Sequence, residues 1–111
     1  ELGPVMSRAY LSRAVEEFGK AIRLHHNNGL TYNSLGGAYL YLMDYDRSLA
    51  AFLAAERYGR GDFLYTNIGF IYEQKKEYAK AREYYVQALI MNPKFKKARE
   101  GLELVERHLR T

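Results

Sequence analysis

The chain has 111 residues, a net charge of +4 and a hydrophobic content of 48%, a balance typical of one soluble globular domain over residues 1–111. It contains no cysteine, which excludes disulfides, zinc–thiolate sites and thiol nucleophiles. No stretch reaches the roughly 18 consecutive apolar residues of a membrane-spanning helix, so we expect no direct membrane insertion. Residues 1–10 lack the basic start and apolar run of a signal peptide, which favours the cytoplasm but leaves a removed targeting segment open.

Helix breakers are nearly absent, because proline occurs only at Pro4 and Pro93. Between these prolines apolar residues recur at helical spacing, and we expect residues 1–4 to form a loop. Asp44 and Asp62 are predicted N-caps, and Asn92 before proline ends a helix. The predicted helices, in chain order, cover residues 7–25, 30–42, 44–58, 62–75, 77–91 and 93–109.

An internal repeat relates the second and third predicted helices to the fourth and fifth. The segment Tyr32-x-x-Leu35-Gly36-x-x-Tyr39 recurs 33 residues later as Tyr65-x-x-Ile68-Gly69-x-x-Tyr72. At the same offset four further pairs agree in type: Tyr45 and Tyr78, Ser48 and Ala81, Phe52 and Tyr85, Ala55 and Ala88. An offset of 34 residues upstream yields only the second half of a unit, at Leu11, Ala14, Phe18 and Ala21. These matches indicate a repeated helical hairpin.

The repeated positions resemble the tetratricopeptide repeat family, whose pattern is W-x2-L-G-x2-Y, then A-x3-F-x2-A, then P, over about 34 residues. Tyr32 and Tyr65 stand in place of the tryptophan, and the closing proline is present only as Pro93. The resemblance implies an all-α α-solenoid of antiparallel hairpins with about six helices. Its segments are a half-repeat helix (7–28), two repeats (29–61 and 62–93) and a capping helix (94–109). Because the chain starts within a repeat, we expect it to be a fragment of a longer repeat protein.

Two glycines inside predicted helices indicate close helix packing. Glycine costs a helix about 1 kcal/mol relative to alanine, so its recurrence at Gly36 and Gly69 predicts that the two helices of a hairpin cross there. In the last helix Ala98, Leu102, Val105 and Leu109 line one face. The positions that would accept a further hairpin are charged, namely Arg99, Glu103 and Glu106. This helix is therefore predicted to be a polar cap.

No constellation of side chains indicates catalysis, a cofactor or a metal. His25 and His26 are adjacent, so a helix directs them about 100° apart, and His108 lies in a different helix. A metal site needs two or more converging ligands, and we expect these histidines to be exposed near helix ends. The sequence therefore predicts a protein that is not an enzyme, with no catalytic, cofactor-binding or metal-binding residues.

The resemblance implies a concave groove, lined by the first helix of each hairpin, that binds a peptide or helix of a partner protein. Amide side chains can pair with a peptide backbone, and aromatic side chains supply apolar contact. Helical angle places five further positions on the groove face, namely Leu30, Thr66, Glu100, Gly101 and Leu104. The predicted partner-binding residues are Asn33, Ser34, Gly37, Tyr41, Phe63, Asn67, Phe70, Gln74 and Lys97.

One specialised ligand is excluded by the residues at this face. Co-chaperone members of the family share a basic clamp for the two carboxylates of a chaperone tail. The corresponding positions here are Leu30, Ser34, Asn67, Lys97 and Gly101. Only Asn67 and Lys97 fit, so the charges of such a tail would be poorly compensated.

Two alternatives to groove binding stay open. An uncovered apolar face at Leu11, Val15, Phe18 and Ile22 predicts a homo-oligomerisation contact, such as a homodimer. A basic cluster at Lys94, Lys96, Lys97 and Arg99 would suit nucleic acid, although clusters of this size are usually solvated surface.

Overall fold

The computed structural model describes residues 4–24 and 28–111, with side chains from residue 8 onward. Within these ranges it has six helices and no strand, so the predicted all-α class is confirmed. The helices are α1 (Pro4–Arg23), α2 (Gly29–Tyr41), α3 (Tyr45–Glu56), α4 (Asp62–Gln74), α5 (Tyr78–Met91) and α6 (Lys96–Arg110). Pro4 belongs to a helix instead of the predicted loop, and α6 begins three residues later than predicted. The predicted end of the first helix at residue 25 lies outside the described residues.

The chain divides into two compact units, residues 1–59 and residues 60–111. In the first unit α2 packs against both α1 and α3. In the second unit α5 packs against both α4 and α6, and α6 also contacts α4. The predicted hairpins are thus α2–α3 and α4–α5. The assignment of residues 1–111 to a single domain stays a prediction.

The two hairpins turn in the same way. Met43 and Lys76, at equivalent positions of the repeat, have left-handed backbone conformations with φ of 59° and 62°. In the first turn Met43 N–H donates to the Leu40 carbonyl at 3.0 Å and Asp44 N–H donates to the Tyr39 carbonyl at 2.9 Å. The same two hydrogen bonds recur one repeat later. They form a Schellman motif, in which glycine is the usual residue at the left-handed position. Here both hairpins place a side chain there instead.

The two predicted N-caps have different outcomes. Asp44 caps α3, since its carboxylate accepts a hydrogen bond from Arg47 N–H at 3.3 Å. The prediction for Asp62 is wrong, because Gly61 adopts the extended cap conformation and Asp62 is the first residue of α4. Its carboxylate instead accepts a hydrogen bond from the Asn92 side-chain amide at 2.9 Å. This bond links the start of α4 to the end of α5.

The two repeated glycines lie where the helices of each hairpin cross, as predicted. A Cβ atom on Gly36 would lie only 2.7 Å from Phe52 Cδ1, and one on Gly69 would lie 3.0 Å from Tyr85 Cδ1. In the first hairpin the buried Ser48 hydroxyl also donates to the Gly36 carbonyl at 2.6 Å. The absence of a side chain therefore permits the close approach of α2 to α3 and of α4 to α5.

Tyr85 connects all three helices of the second unit. Its ring meets Gly69 on α4, and a Cβ atom on Gly101 of α6 would lie 2.6 Å from Tyr85 Cε1. The Tyr85 hydroxyl donates to Glu73 Oε1 at 2.7 Å. Burial raises the pKa of this phenol above its usual value, and the hydrogen bond and charge of Glu73 act in the same direction.

The last helix buries only part of its apolar stripe. Ala98 and Val105 are fully buried, in agreement with the apolar stripe. Leu109, at the end of this stripe, is 46% exposed. The reason is the length of the neighbouring helix: His108 already stacks on Tyr78, the first residue of α5, at 4.3 Å. The α5 surface ends there.

Candidate partner-binding face

Four predicted partner-binding residues lie together on α2. With about 100° per residue, Asn33, Ser34, Gly37 and Tyr41 fall on the side opposite Leu35, which faces α3. Tyr41 is 78% exposed. A Cβ atom on Gly37 would meet nothing within 4 Å, so the backbone is bare at that point. We call these four residues the α2 stripe.

Four more predicted residues form the equivalent α4 stripe, namely Phe63, Asn67, Phe70 and Gln74. Phe63 is 68% exposed, Phe70 is 38% exposed and Gln74 is exposed, while Asn67 is half-buried. The opposite side of α4 carries the fully buried Ile68. Each stripe therefore faces away from the partner helix of its own hairpin.

The start of α6 extends the α4 stripe. The Phe63 ring lies edge-to-face against Phe95, the residue that precedes α6, with centroids 4.8 Å apart. Lys97, the last of the predicted partner-binding residues, is exposed in the first turn of α6. Sequence reasoning missed Phe95, for which the only available signal was an aromatic residue directly before a predicted helix.

Two residues that were placed on this face by angle do not lie on it. Thr66 is only 6% exposed, and its hydroxyl donates to the Asp62 carbonyl at 2.7 Å. Gly101 packs against the Tyr85 ring instead of facing a ligand. Both serve the packing of the second unit.

The residues behind the alternative predictions have ordinary surroundings. Leu11, Val15, Phe18 and Ile22 are half-buried, and homo-oligomerisation through them stays a prediction. In the basic cluster Lys96 pairs with Glu100 at 3.8 Å, and an Arg99 guanidinium nitrogen donates to the Pro93 carbonyl at 2.9 Å. Nucleic-acid binding likewise stays untested.

The candidate metal ligands are the histidines and carboxylates of the described part of the chain. His25 and His26 lie outside it, and the exposed His108 stacks on Tyr78. Over residues 4–24 and 28–111 no three His, Asp or Glu side chains converge as a metal site would require. None of the helices within the same ranges combines the length and apolarity needed to span a membrane.

The two hairpins have the same glycine crossings and the same turns, and their equivalent residues are 33 positions apart. These features define a helical-repeat protein. Residues 63–95 match the family model described as tetratricopeptide repeat. Among solved structures the chain is similar to the Arabidopsis OM64 TPR domain, with 22% identity and a TM-score of 0.83, over 90% of this chain and 84% of that chain. No curated protein matches the sequence. Residues 63–95 therefore carry a tetratricopeptide repeat, and the chain has the all-α solenoid fold of such a domain, a fold that generally mediates protein–protein interaction.

Proposed function

We propose that this chain is a protein-binding module that holds a peptide or helix of a partner on the α2 stripe and the α4 stripe. The supporting observation is the exposure of large apolar side chains on the side of each helix that faces away from its hairpin. Leu30 and Phe63 occupy equivalent positions of the repeat and are 77% and 68% exposed. Single exposed apolar residues are common on protein surfaces, but their recurrence at one repeat position favours a shared role in binding.

The chemistry of the stripes suits a polypeptide ligand. Exposed aromatic residues such as Tyr41 and Phe70 are typical anchors at interfaces because they bury a large area with little loss of side-chain entropy. Amide side chains such as those of Asn33 and Gln74 offer both donors and acceptors to a peptide backbone. Gly37 leaves room for a ligand side chain to approach the backbone of α2.

The test uses a photo-reactive residue placed on and off the stripes. p-Benzoylphenylalanine replaces Tyr41 or Phe70, or, as the control, Ile90, which is 71% exposed on α5. After irradiation in cells that express the protein, we expect both stripe positions to yield adducts with the same partner. The Ile90 position should not yield that adduct.

A paired substitution checks that the adducts report binding energy. Asn67→Ala with Phe70→Ala removes an amide and an aromatic anchor from the α4 stripe, and Ile90→Ala is the matched control. Loss of an anchor typically costs about 2 kcal/mol or more of binding free energy, so capture of the partner should fall at least about tenfold in the double variant alone. Equal capture by the double variant and the control would sink the proposal.

A further inference from the structure

At one equivalent position of α3 and α5 the second hairpin has an aromatic ring and the first has none. In the second hairpin Tyr84 fills the space between two tyrosines. Its ring lies edge-to-face against Tyr65 with centroids 5.5 Å apart, and it stacks on Tyr72 at 5.7 Å. The equivalent residue of the first hairpin, 33 residues earlier, is Ala51.

The first hairpin keeps the surroundings of the missing ring. Tyr32 and Tyr39 correspond to Tyr65 and Tyr72, and Arg47 corresponds to Lys80, whose ammonium lies 5.5 Å from the Tyr72 ring centroid. Between these groups the structure has an open cavity of about 280 Å³, which we call the α2–α3 depression. It is lined by Tyr32, Leu35, Tyr39, Arg47, Ala50 and Ala51. An apolar cavity of about 150 Å³ can bind a benzene ring, so this volume suffices for one aromatic side chain.

We infer that the α2–α3 depression binds a tyrosine or phenylalanine side chain of a partner polypeptide, which takes the place that Tyr84 occupies in the second hairpin. The occupant is specified by the chain itself, because in the second hairpin the ring of Tyr84 completes the equivalent pair of tyrosines. Aromatic rings prefer edge-to-face and offset-stacked contacts with other rings, and a guanidinium is attracted to a ring face. Arg47 lines the depression, is exposed and pairs with Asp44 at 3.5 Å.

The α2–α3 depression is separate from the two stripes on which the proposed function depends. Tyr32, Leu35 and Tyr39 lie on the side of α2 that faces α3, about 180° from the α2 stripe. Loss of partner binding at the stripes would leave the depression intact, and filling the depression would leave the stripes intact. The two proposals therefore fail independently.

The primary test is an NMR titration of the protein with N-acetyl-tyrosinamide, and with N-acetyl-leucinamide as the apolar comparison. We expect the tyrosine probe to shift the amide resonances of Leu35, Tyr39 and Ala51, with an affinity about two- to tenfold above that of the leucine probe. No shift at these residues up to the solubility limit overturns the inference. Equal affinity for both probes overturns the aromatic specificity.

Two variants test the location of the site. Ala51→Tyr supplies the missing ring and should abolish the shifts, whereas Ala79→Tyr adds the same ring at an exposed position of α5 and should leave them unchanged. Conversely, Tyr84→Ala opens the equivalent space in the second hairpin and should add a second set of shifts near Ile68. Unchanged probe binding in folded Ala51→Tyr contradicts the site. The wild-type titration decides the matter alone if a variant does not fold.

A second copy of the chain is the remaining occupant to distinguish. Light scattering should show no wild-type dimer that the Ala51→Tyr substitution abolishes. A dimer that Ala51→Tyr converts to a monomer, while Ala79→Tyr does not, would show that the ring comes from a second copy and would overturn the assignment to a partner polypeptide.

Discussion

Replacing Gly36 with alanine adds one methyl group at the crossing of α2 and α3. The new Cβ atom would lie 2.7 Å from Cδ1 and 2.9 Å from Cγ of Phe52, which is itself only 1% exposed. Neither partner can move freely, because the buried Ser48 hydroxyl holds the Gly36 carbonyl at 2.6 Å. The adjacent Gly37 is the matched control, since a Cβ atom there meets nothing within 4 Å.

The expected sizes follow from two opposing terms. Alanine gains about 1 kcal/mol over glycine in a helix interior, and this gain applies to both positions. Overpacking a buried crossing typically costs about 1–3 kcal/mol, and this cost applies only to Gly36. We therefore expect Gly37→Ala to stabilise the protein by about 1 kcal/mol and Gly36→Ala to destabilise it by about 1 kcal/mol.

Urea unfolding followed by far-UV circular dichroism measures both changes. At constant slope, the midpoint should rise for Gly37→Ala and fall for Gly36→Ala, with about 2 kcal/mol between the two variants. If the two variants were equally stable, the crossing would not need a bare backbone. The same result would remove the physical reason for glycine at this repeat position.

Three further predictions concern the turns, a buried hydrogen bond and pH. Lys76→Gly should stabilise the protein by about 1 kcal/mol, because it removes a side chain from the left-handed position. Lys75→Gly, one residue earlier, should destabilise it, and thermal unfolding measures both changes. Ser48→Ala should lower the free energy of unfolding by about 1 kcal/mol through loss of its hydrogen bond to the Gly36 carbonyl, and an unchanged urea midpoint would contradict this. Burial raises the pKa of Tyr85, so the folded state binds the phenol proton more tightly than the unfolded chain does. The free energy of unfolding that this difference contributes is fully present below a pH of about 10 and is lost as the pH rises above it. Tyr85→Phe removes the titrating group, and its stability should fall less steeply over that alkaline range.

The fold could be predicted from the sequence where a residue type has a narrow structural meaning. Glycine at Gly36 and Gly69 is costly in a helix, so its recurrence indicated a crossing that the structure then placed against aromatic rings. Proline at Pro93 similarly ended α5 at Met91. Local signals of this kind need no knowledge of distant residues.

The errors arose where a distant partner decides the role of a residue. Aspartate is a favoured N-cap residue, but the Asp62 carboxylate accepts a hydrogen bond from the Asn92 amide, 30 residues away, and Gly61 is the N-cap of α4. Gly101 was placed on the ligand face by helical angle, which does not reveal where the Tyr85 ring lies. At the α2–α3 depression, the sequence shows that Ala51 stands where the second hairpin has Tyr84. It does not show whether the neighbouring side chains close over the gap.

The position of Tyr85 has a consequence for how the second unit opens. One buried ring meets bare backbone on both α4 and α6, so neither helix can leave without exposing it. Fraying of α6 would unpack the ring and so weaken the contact that holds α4 to α5. Local opening of any one of the three helices is therefore coupled to the other two, and they form a single cooperative unit. In hydrogen exchange, the amides at the centres of α4, α5 and α6 should share one opening free energy instead of showing a gradient from the last helix inward.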